Sequence, residues 1–288
     1  MHLVLLGVFG IFLYGTANPF DRLGFIVPEG AELNPLLQDG SLMVHPPLLY
    51  LGYVGFSLVF SVTWGGLMAR IPLGQVARNV LPYLLISLGF LTFGIALGAF
   101  WAYYELGWGG YWFWDPVETI SLLPWLSGLA AVHGCIKNAK PTYSGVFWAI
   151  LTFPCGVLGT FLVRSGLLSS VHSFADQGDR AVQLAVFCAV ILSLGGWAIH
   201  RHRTFATHPG PLWPLTLRRL SRPLFLSVAM TILGILFVLG VLGTLYPVVL
   251  DAFGGGKIVV GSSFFQKTFI PVSVLGLLIL TYVFYGGQ

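Results

Sequence analysis

Eight stretches of this chain are apolar over roughly the thickness of a bilayer, which restricts the fold more than any other feature. A membrane-crossing helix needs about 20 mostly apolar residues. Segments 47–69, 80–104, 119–136, 143–163, 181–199, 223–246 and 269–286 reach or approach that length, and 1–15 gives a shorter first span. Within hydrocarbon the backbone must satisfy its own hydrogen bonds, which a continuous apolar run does as a helix. Charge agrees, because 8% of the residues are charged and mean hydropathy is +0.86, whereas a soluble domain carries about 25% charged residues. The expected fold is all-α: one polytopic transmembrane helical bundle of about eight spans over residues 1–288, with its ligand chemistry in outer-side loops. The formal charge of +4 is then no sign of a nucleic-acid partner; the surroundings are membrane lipid.

The position of the basic residues sets the orientation. Loops 70–79, 137–142 and 200–222 hold nine of the fourteen Lys and Arg residues, and loops 16–46, 105–118, 164–180 and 247–268 hold five. The first set is expected on the cytoplasmic or matrix side. The N-terminal segment lacks a basic leader and a small-residue cleavage site, so it reads as a short or truncated span and not as a signal peptide. Cys135, Cys155 and Cys188 all lie in apolar runs without a C-x-x-C pair. That spacing argues against dithiol chemistry and against haem attached covalently to this chain, and the thiols read as packing residues.

Residues 101–125 hold the densest chemical signal, an aromatic loop with its flanks. Trp108, Tyr111, Trp112, Phe113 and Trp114 crowd together beside Gly109 and Gly110, and Asp115 closes the run. One or two rings serve to anchor a span at the interface, and Trp101 and Trp125 read that way. Five suggest a platform for a large planar ligand, with the glycines permitting close approach. Asp115-Pro116-Val117-Glu118 has the spacing of a capping box with Pro at the first helical position, which favours a structural role for the two carboxylates over paired acid–base catalysis.

Three histidines bear on the same question. His45, before Pro46-Pro47, and His172 fall on the side of the aromatic loop and could clasp a haem iron axially; zinc binding or proton relay would use the same residues. His133 lies within the fourth span, where an ionisable group is a functional candidate and a buried haem would need a ligand; the alternative is a histidine near the inner interface. His200, His202 and His208 sit among arginines and read as solvated surface. Arg164 suits a haem propionate, or it snorkels to the headgroups.

At these residues the chain resembles the CcmF family of cytochrome c-type biogenesis proteins, the haem-lyase component of cytochrome c maturation, within the wider WWD haem-handling proteins. The resemblance rests on Asn34-Pro-Leu-Leu-Gln-Asp39, His45-Pro-Pro-Leu-Leu-Tyr50, Tyr103-Tyr-Glu-Leu-Gly-Trp-Gly-Gly110, Trp112-Phe-Trp-Asp-Pro-Val-Glu118 and Phe161-Leu-Val-Arg-Ser-Gly166 followed by His172, with a weaker continuation at Gly243-Thr-Leu-Tyr-Pro247. It implies that His45 and His172 ligate the incoming haem, that Trp108 to Asp115 cradle it, and that His133 is one of two ligands of a resident haem b. It further implies delivery by the haem chaperone CcmE and attachment to a Cys-x-x-Cys-His apocytochrome c kept reduced by thiol-reducing partners, alongside other maturation subunits. No metal other than haem iron is expected. The membrane would be the bacterial inner membrane or the mitochondrial one, with the aromatic loop facing the periplasm or the intermembrane space.

Tyr111 stands where the family carries a tryptophan, and Thr119 where it often carries Asn. Family members have further spans on both sides of this stretch, including the partner of His133, so the chain is expected to be one piece of a split protein or a fragment. A haem-delivery protein without ligation activity, a non-catalytic half of a split lyase, and a specialised lyase such as that serving nitrite reductase are the alternatives. Nothing resembles a catalytic triad or a phosphate-binding loop.

Overall fold

A computed structural model describes the chain except residues 17, 23, 27, 31, 34, 108–109, 137–142, 169–177, 206–221, 257 and 286–288. The described residues form eight α-helices: α1 (His2–Thr16), α2 (Gly40–Met68), α3 (Leu73–Glu105), α4 (Pro116–Cys135), α5 (Tyr143–Arg164), α6 (Gly178–Phe205), α7 (Arg222–Ala252) and α8 (Ser262–Tyr285), with a single 3-10 turn at Pro35–Leu37. The all-helical expectation holds. Six of the helices, α2, α3 and α5 to α8, are long and apolar enough to cross a membrane.

The other two differ for distinct reasons. The 15 residues of α1 span about 22 Å at 1.5 Å per residue, short of a hydrocarbon core of about 30 Å. Helix α4 is long enough but carries Glu118, Thr119, Ser121, Ser127 and two prolines. It tolerates them because it packs against α3, α5 and α7, with Thr119, Ser127, Ala130 and Ala131 all fully buried. A helix shielded by neighbours need not be apolar toward lipid.

Several boundaries move outward from the apolar runs. Helix α2 begins at Gly40, so Pro46 and Pro47 lie inside it, although interior prolines remove ladder bonds. The start is held by Asp39, whose carboxylate accepts from the Ser41 and Leu42 N–H groups at 2.7 and 3.3 Å. Helix α3 starts at Leu73 and α6 runs on to Phe205. This extension of α6 overturns the reading of His202 as solvated surface. Its ring is 8% exposed, with Nδ1 2.8 Å from the Tyr143 hydroxyl and Nε2 donating to the Ile71 carbonyl at 3.1 Å. Exposed His200 fits the expectation, and His208 lies outside the described residues.

The core runs between α2, α3, α4 and α5, where Phe56, Leu84, Leu88, Leu91, Tyr143 and Ala149 are sealed from solvent. Close helix approach depends on missing side chains. A Cβ on Gly52 would lie 2.7 Å from Leu91 Cβ, and Gly134 meets Gly145 backbone to backbone across α4 and α5. Small residues at such crossings are the usual route to helix association in lipid. Cys155 and Cys188 are buried, Cys135 partly so, and all three thiols are free. Trp101 is 5% exposed and therefore a core residue, not an interfacial anchor, while Trp125 links α4 to α3 by donating to Thr92 Oγ1 at 2.9 Å.

Candidate haem-binding site

The end of the bundle that carries the aromatic loop is assembled from the start of α2, the end of α3, the start of α4 and the end of α5. A three-residue clasp joins α2 to α3. The Tyr104 hydroxyl donates to Asp39 Oδ1 at 2.5 Å and lies 2.8 Å from Ser41 Oγ. That phenol, with the Ser41 and Leu42 N–H groups, outweighs partial desolvation and holds the Asp39 carboxyl below its ordinary range. Two turns further along α2, His45 Nδ1 is 2.6 Å from the Gly94 carbonyl of α3. A carbonyl only accepts, so Nδ1 is the donor in this contact and carries a proton.

The loop leaves α3 through Gly107, at φ +62°. Tyr111 is tied back to α3 by its hydroxyl, which donates to the Ala96 carbonyl at 2.7 Å. The capping box is present: Asp115 Oδ2 accepts from Val117 N at 3.0 Å, and Glu118 Oε2 accepts from Asp115 N and Phe113 N at 3.2 and 3.1 Å. The expected structural role of the two carboxylates is therefore what the geometry has. Trp114 adopts φ +62°, a left-handed conformation costing a side-chain-bearing residue about 1–2 kcal/mol. Its ring stacks on Phe265 of α8 at 5.1 Å with 5° between planes, and meets Phe269 edge to face at 4.9 Å. Trp112 stands nearly perpendicular to Trp114, at 82°. Tyr111 and Phe113 are about half exposed, at 51% and 48%. The loop thus divides its rings between two jobs.

Trp112 lines a cavity together with His45. This cavity, of about 320 Å³, lies between α2, α3, α4 and α5, and its lining includes His45, Trp112, Trp101, Glu118, Tyr53 and Arg164. Its volume falls at the low end of small-molecule sites, about 300–1,000 Å³. The indole Nε1 atoms of Trp101 and Trp112 are buried without a partner, a cost of about 1–3 kcal/mol each that native interiors mostly avoid. An imidazole held at Nδ1 by the Gly94 carbonyl, a guanidinium and an aromatic wall around one void form a set of groups suited to a planar, carboxylate-bearing iron porphyrin.

Phe265, on which Trp114 stacks, lines a second cavity of about 140 Å³ together with Pro116, Gly243, Thr244, Pro247 and Asp251. The Gly243–Pro247 motif thus shares a cavity with Pro116, the first residue of α4. His133 is elsewhere: it lies in the last turn of α4 with Nδ1 2.7 Å from the Leu129 carbonyl, about 25 Å along the helix from Pro116. Trp108, Gly109 and His172 lie outside the described residues; Gly110 forms a bend. Sequence reasoning missed the Asp39–Tyr104 clasp, whose members are 65 positions apart. The one available signal was Asp39 itself, an N-cap residue type standing before an apolar run.

Comparison with known proteins follows the same residues. The cytochrome c assembly protein family matches residues 2–172. Among curated relatives, the cytochrome c-type biogenesis protein NrfE of Haemophilus influenzae is 40% identical over 285 residues, covering 97% of this chain and 44% of that protein. CycK of Bradyrhizobium diazoefficiens is 43% identical over 277 residues, covering 94% and 41%. CcmF of Escherichia coli is 41% identical over 279 residues, covering 93% and 42%. A solved structure, cytochrome c heme lyase CcmF, matches with a TM-score of 0.70 at 27% identity, covering 97% of this chain and 40% of its own. The chain therefore spans about two fifths of the length of the relatives it matches.

Proposed function

The chain belongs to the cytochrome c assembly protein family, as an integral membrane protein of the CcmF type, and from that premise we propose that it is the haem-binding part of a haem lyase. One observation carries the reading: His45, Trp112 and Arg164, drawn from three separate parts of the sequence, line one cavity at the end of the bundle that bears the aromatic loop. In this reading His45 and His172 would ligate the haem iron, Trp112 would pack on the porphyrin, and Arg164 would pair with a propionate.

Haem arrives from the chaperone CcmE, and the vinyl edge is turned toward the two thiols of a Cys-x-x-Cys-His apocytochrome c. Each thiol adds across a vinyl double bond: sulfur bonds to one carbon, the thiol hydrogen ends on the other, and nothing is released or oxidised. The contribution of this chain is to hold the ring so that the vinyl carbons meet the thiols, and positioning of that kind supplies much of a rate. By the family resemblance, His133 would be one of two ligands of a resident haem b, with its partner ligand outside this chain. The aromatic loop faces the periplasm or the intermembrane space.

The test supplies haem-loaded CcmE and a reduced apocytochrome to membranes containing this chain and the remaining segments that its relatives carry. A pyridine haemochrome assay then separates vinyl haem from thioether haem. Thioether haem that disappears with His45→Ala supports the lyase. Haem transferred without thioether formation would make the protein a delivery factor, and no haem transfer through the chain would contradict both.

A further inference from the structure

Two glycines of α3, Gly94 and Gly98, lie one turn apart on the helix face that meets His45. They do different things. A Cβ on Gly94 would fall 2.7 Å from Leu49 N and 2.8 Å from Leu49 Cα, so its missing side chain lets the α2 backbone press against α3. The same residue offers the carbonyl that accepts from His45 Nδ1 at 2.6 Å. A Cβ on Gly98 would meet something else: Cε1, Nδ1 and Nε2 of His45, at 2.5, 2.9 and 3.0 Å.

That environment separates Gly98 from an ordinary packing glycine. At Gly52 the nearest atoms belong to Leu91, and at Gly89, on the same helix as Gly98, nothing lies within 4 Å. The three nearest neighbours of a Gly98 Cβ are all atoms of one imidazole, and they include both ring nitrogens. The contact covers the N–C–N edge that must stay in register with the Gly94 carbonyl for the tautomer to hold. An alanine there pushes on the imidazole, and a ring that swings away to admit it takes Nδ1 off that carbonyl.

We infer that Gly98 is a positioning residue for the haem ligand: with the Gly94 carbonyl it forms a seat that sets both the ring plane and the tautomer of His45 before any ligand arrives. This rests on His45 being an axial ligand as proposed above. A partner on the non-ligating nitrogen orients an imidazole and raises its basicity, and losing such partners costs about 10–100-fold in metal affinity. The seat is built from backbone, so it keeps its geometry whether or not the iron is there.

The experiment compares wild type, Gly98→Ala, Gly89→Ala and His45→Ala in the detergent-purified full chain titrated with ferric haem. Absorption and electron paramagnetic resonance spectra report the axial ligands. Gly98→Ala should bind haem about 10–100-fold more weakly and lose the low-spin signature of an imidazole-ligated iron, while Gly89→Ala matches wild type. Nitrogen NMR of the His45 ring without haem should show the Nδ1–H form in wild type and its loss in Gly98→Ala. A His45-dependent spectrum that is unchanged in Gly98→Ala would overturn the seat alone. A wild-type spectrum that does not depend on His45, or no haem binding at all, would overturn the ligand assignment and the seat together. Since Gly98→Ala also strains the helix pair, unfolding is measured in the His45→Ala background too. The alanine should be tolerated there, because its clash partner is gone, and a loss of stability as large as in wild type would point to helix packing and against the seat.

Discussion

Asp39 has two roles that a single carboxylate can fill at once: it caps α2 through the Ser41 and Leu42 N–H groups, and it receives the Tyr104 hydroxyl. Its folded-state pKa lies below the ordinary value of 3.8, so the sign of its pH dependence is determined. The contribution is fully present above the unfolded value and is lost as pH falls through the lower, folded one. Asp39→Asn keeps an acceptor for the cap but carries no charge. Thermal unfolding should show wild type ahead of Asp39→Asn near neutral pH, with the gap closing below pH 3.8; a gap independent of pH would show that the clasp does not depend on the charge. Trp114 makes a contrasting case. Its ring is committed to Phe265 and Phe269, so Trp114→Ala should cost about 3 kcal/mol of stability, as large-to-small core changes do, read as a lowered unfolding midpoint. A variant as stable as wild type would show that the stack contributes little.

Among the elements, the capping box of α4 is legible in the amino-acid sequence, because Asp-Pro-x-Glu spells it out locally and each bond spans five positions or fewer. Asp115→Ala removes the cap and should lower stability by about 1 kcal/mol, measured by denaturation, and no change would mean that packing alone starts the helix. Helix ends are less legible. The Pro46-Pro47 pair reads as a barrier in sequence, yet α2 starts six positions earlier at Gly40, since Asp39 and Tyr104 secure a start that local propensity resists. Hydropathy likewise ends α6 before His202, whereas Tyr143 and the Ile71 carbonyl draw that ring into the interior. In both cases the deciding contact comes from another helix, and a periodicity argument has no access to it. The site follows the same rule. His45, Trp112 and Arg164 are recognisable by residue type, but their meeting at one cavity, and the seating of His45 against Gly94 and Gly98, are tertiary facts.

For the whole molecule, the distribution of basic residues predicts a direction in the membrane. Arg70 lies over the Phe205 ring at 4.1 Å and Arg203 over Tyr143 at 5.5 Å, so arginines gather at the end opposite the aromatic loop. Cysteine placed at exposed Tyr111 should react with a membrane-impermeant thiol reagent added from the periplasmic side of intact cells, while cysteine at Arg203 should react only after permeabilisation; the reverse pattern would invert the orientation. The bundle brings the His45 cavity to the loop end and leaves His133 in the last turn of α4 at the other end of that helix, so two haem positions would be separated by about the length of α4. The most direct test of the account is the absorption spectrum of the purified chain loaded with one equivalent of haem, ferric and dithionite-reduced, in wild type, His45→Ala and His133→Ala. The account predicts a low-spin imidazole-ligated spectrum that His45→Ala abolishes and His133→Ala leaves in place. A spectrum that survives His45→Ala and vanishes with His133→Ala would contradict it, placing the bound haem in the membrane interior and not in the cavity beneath the aromatic loop.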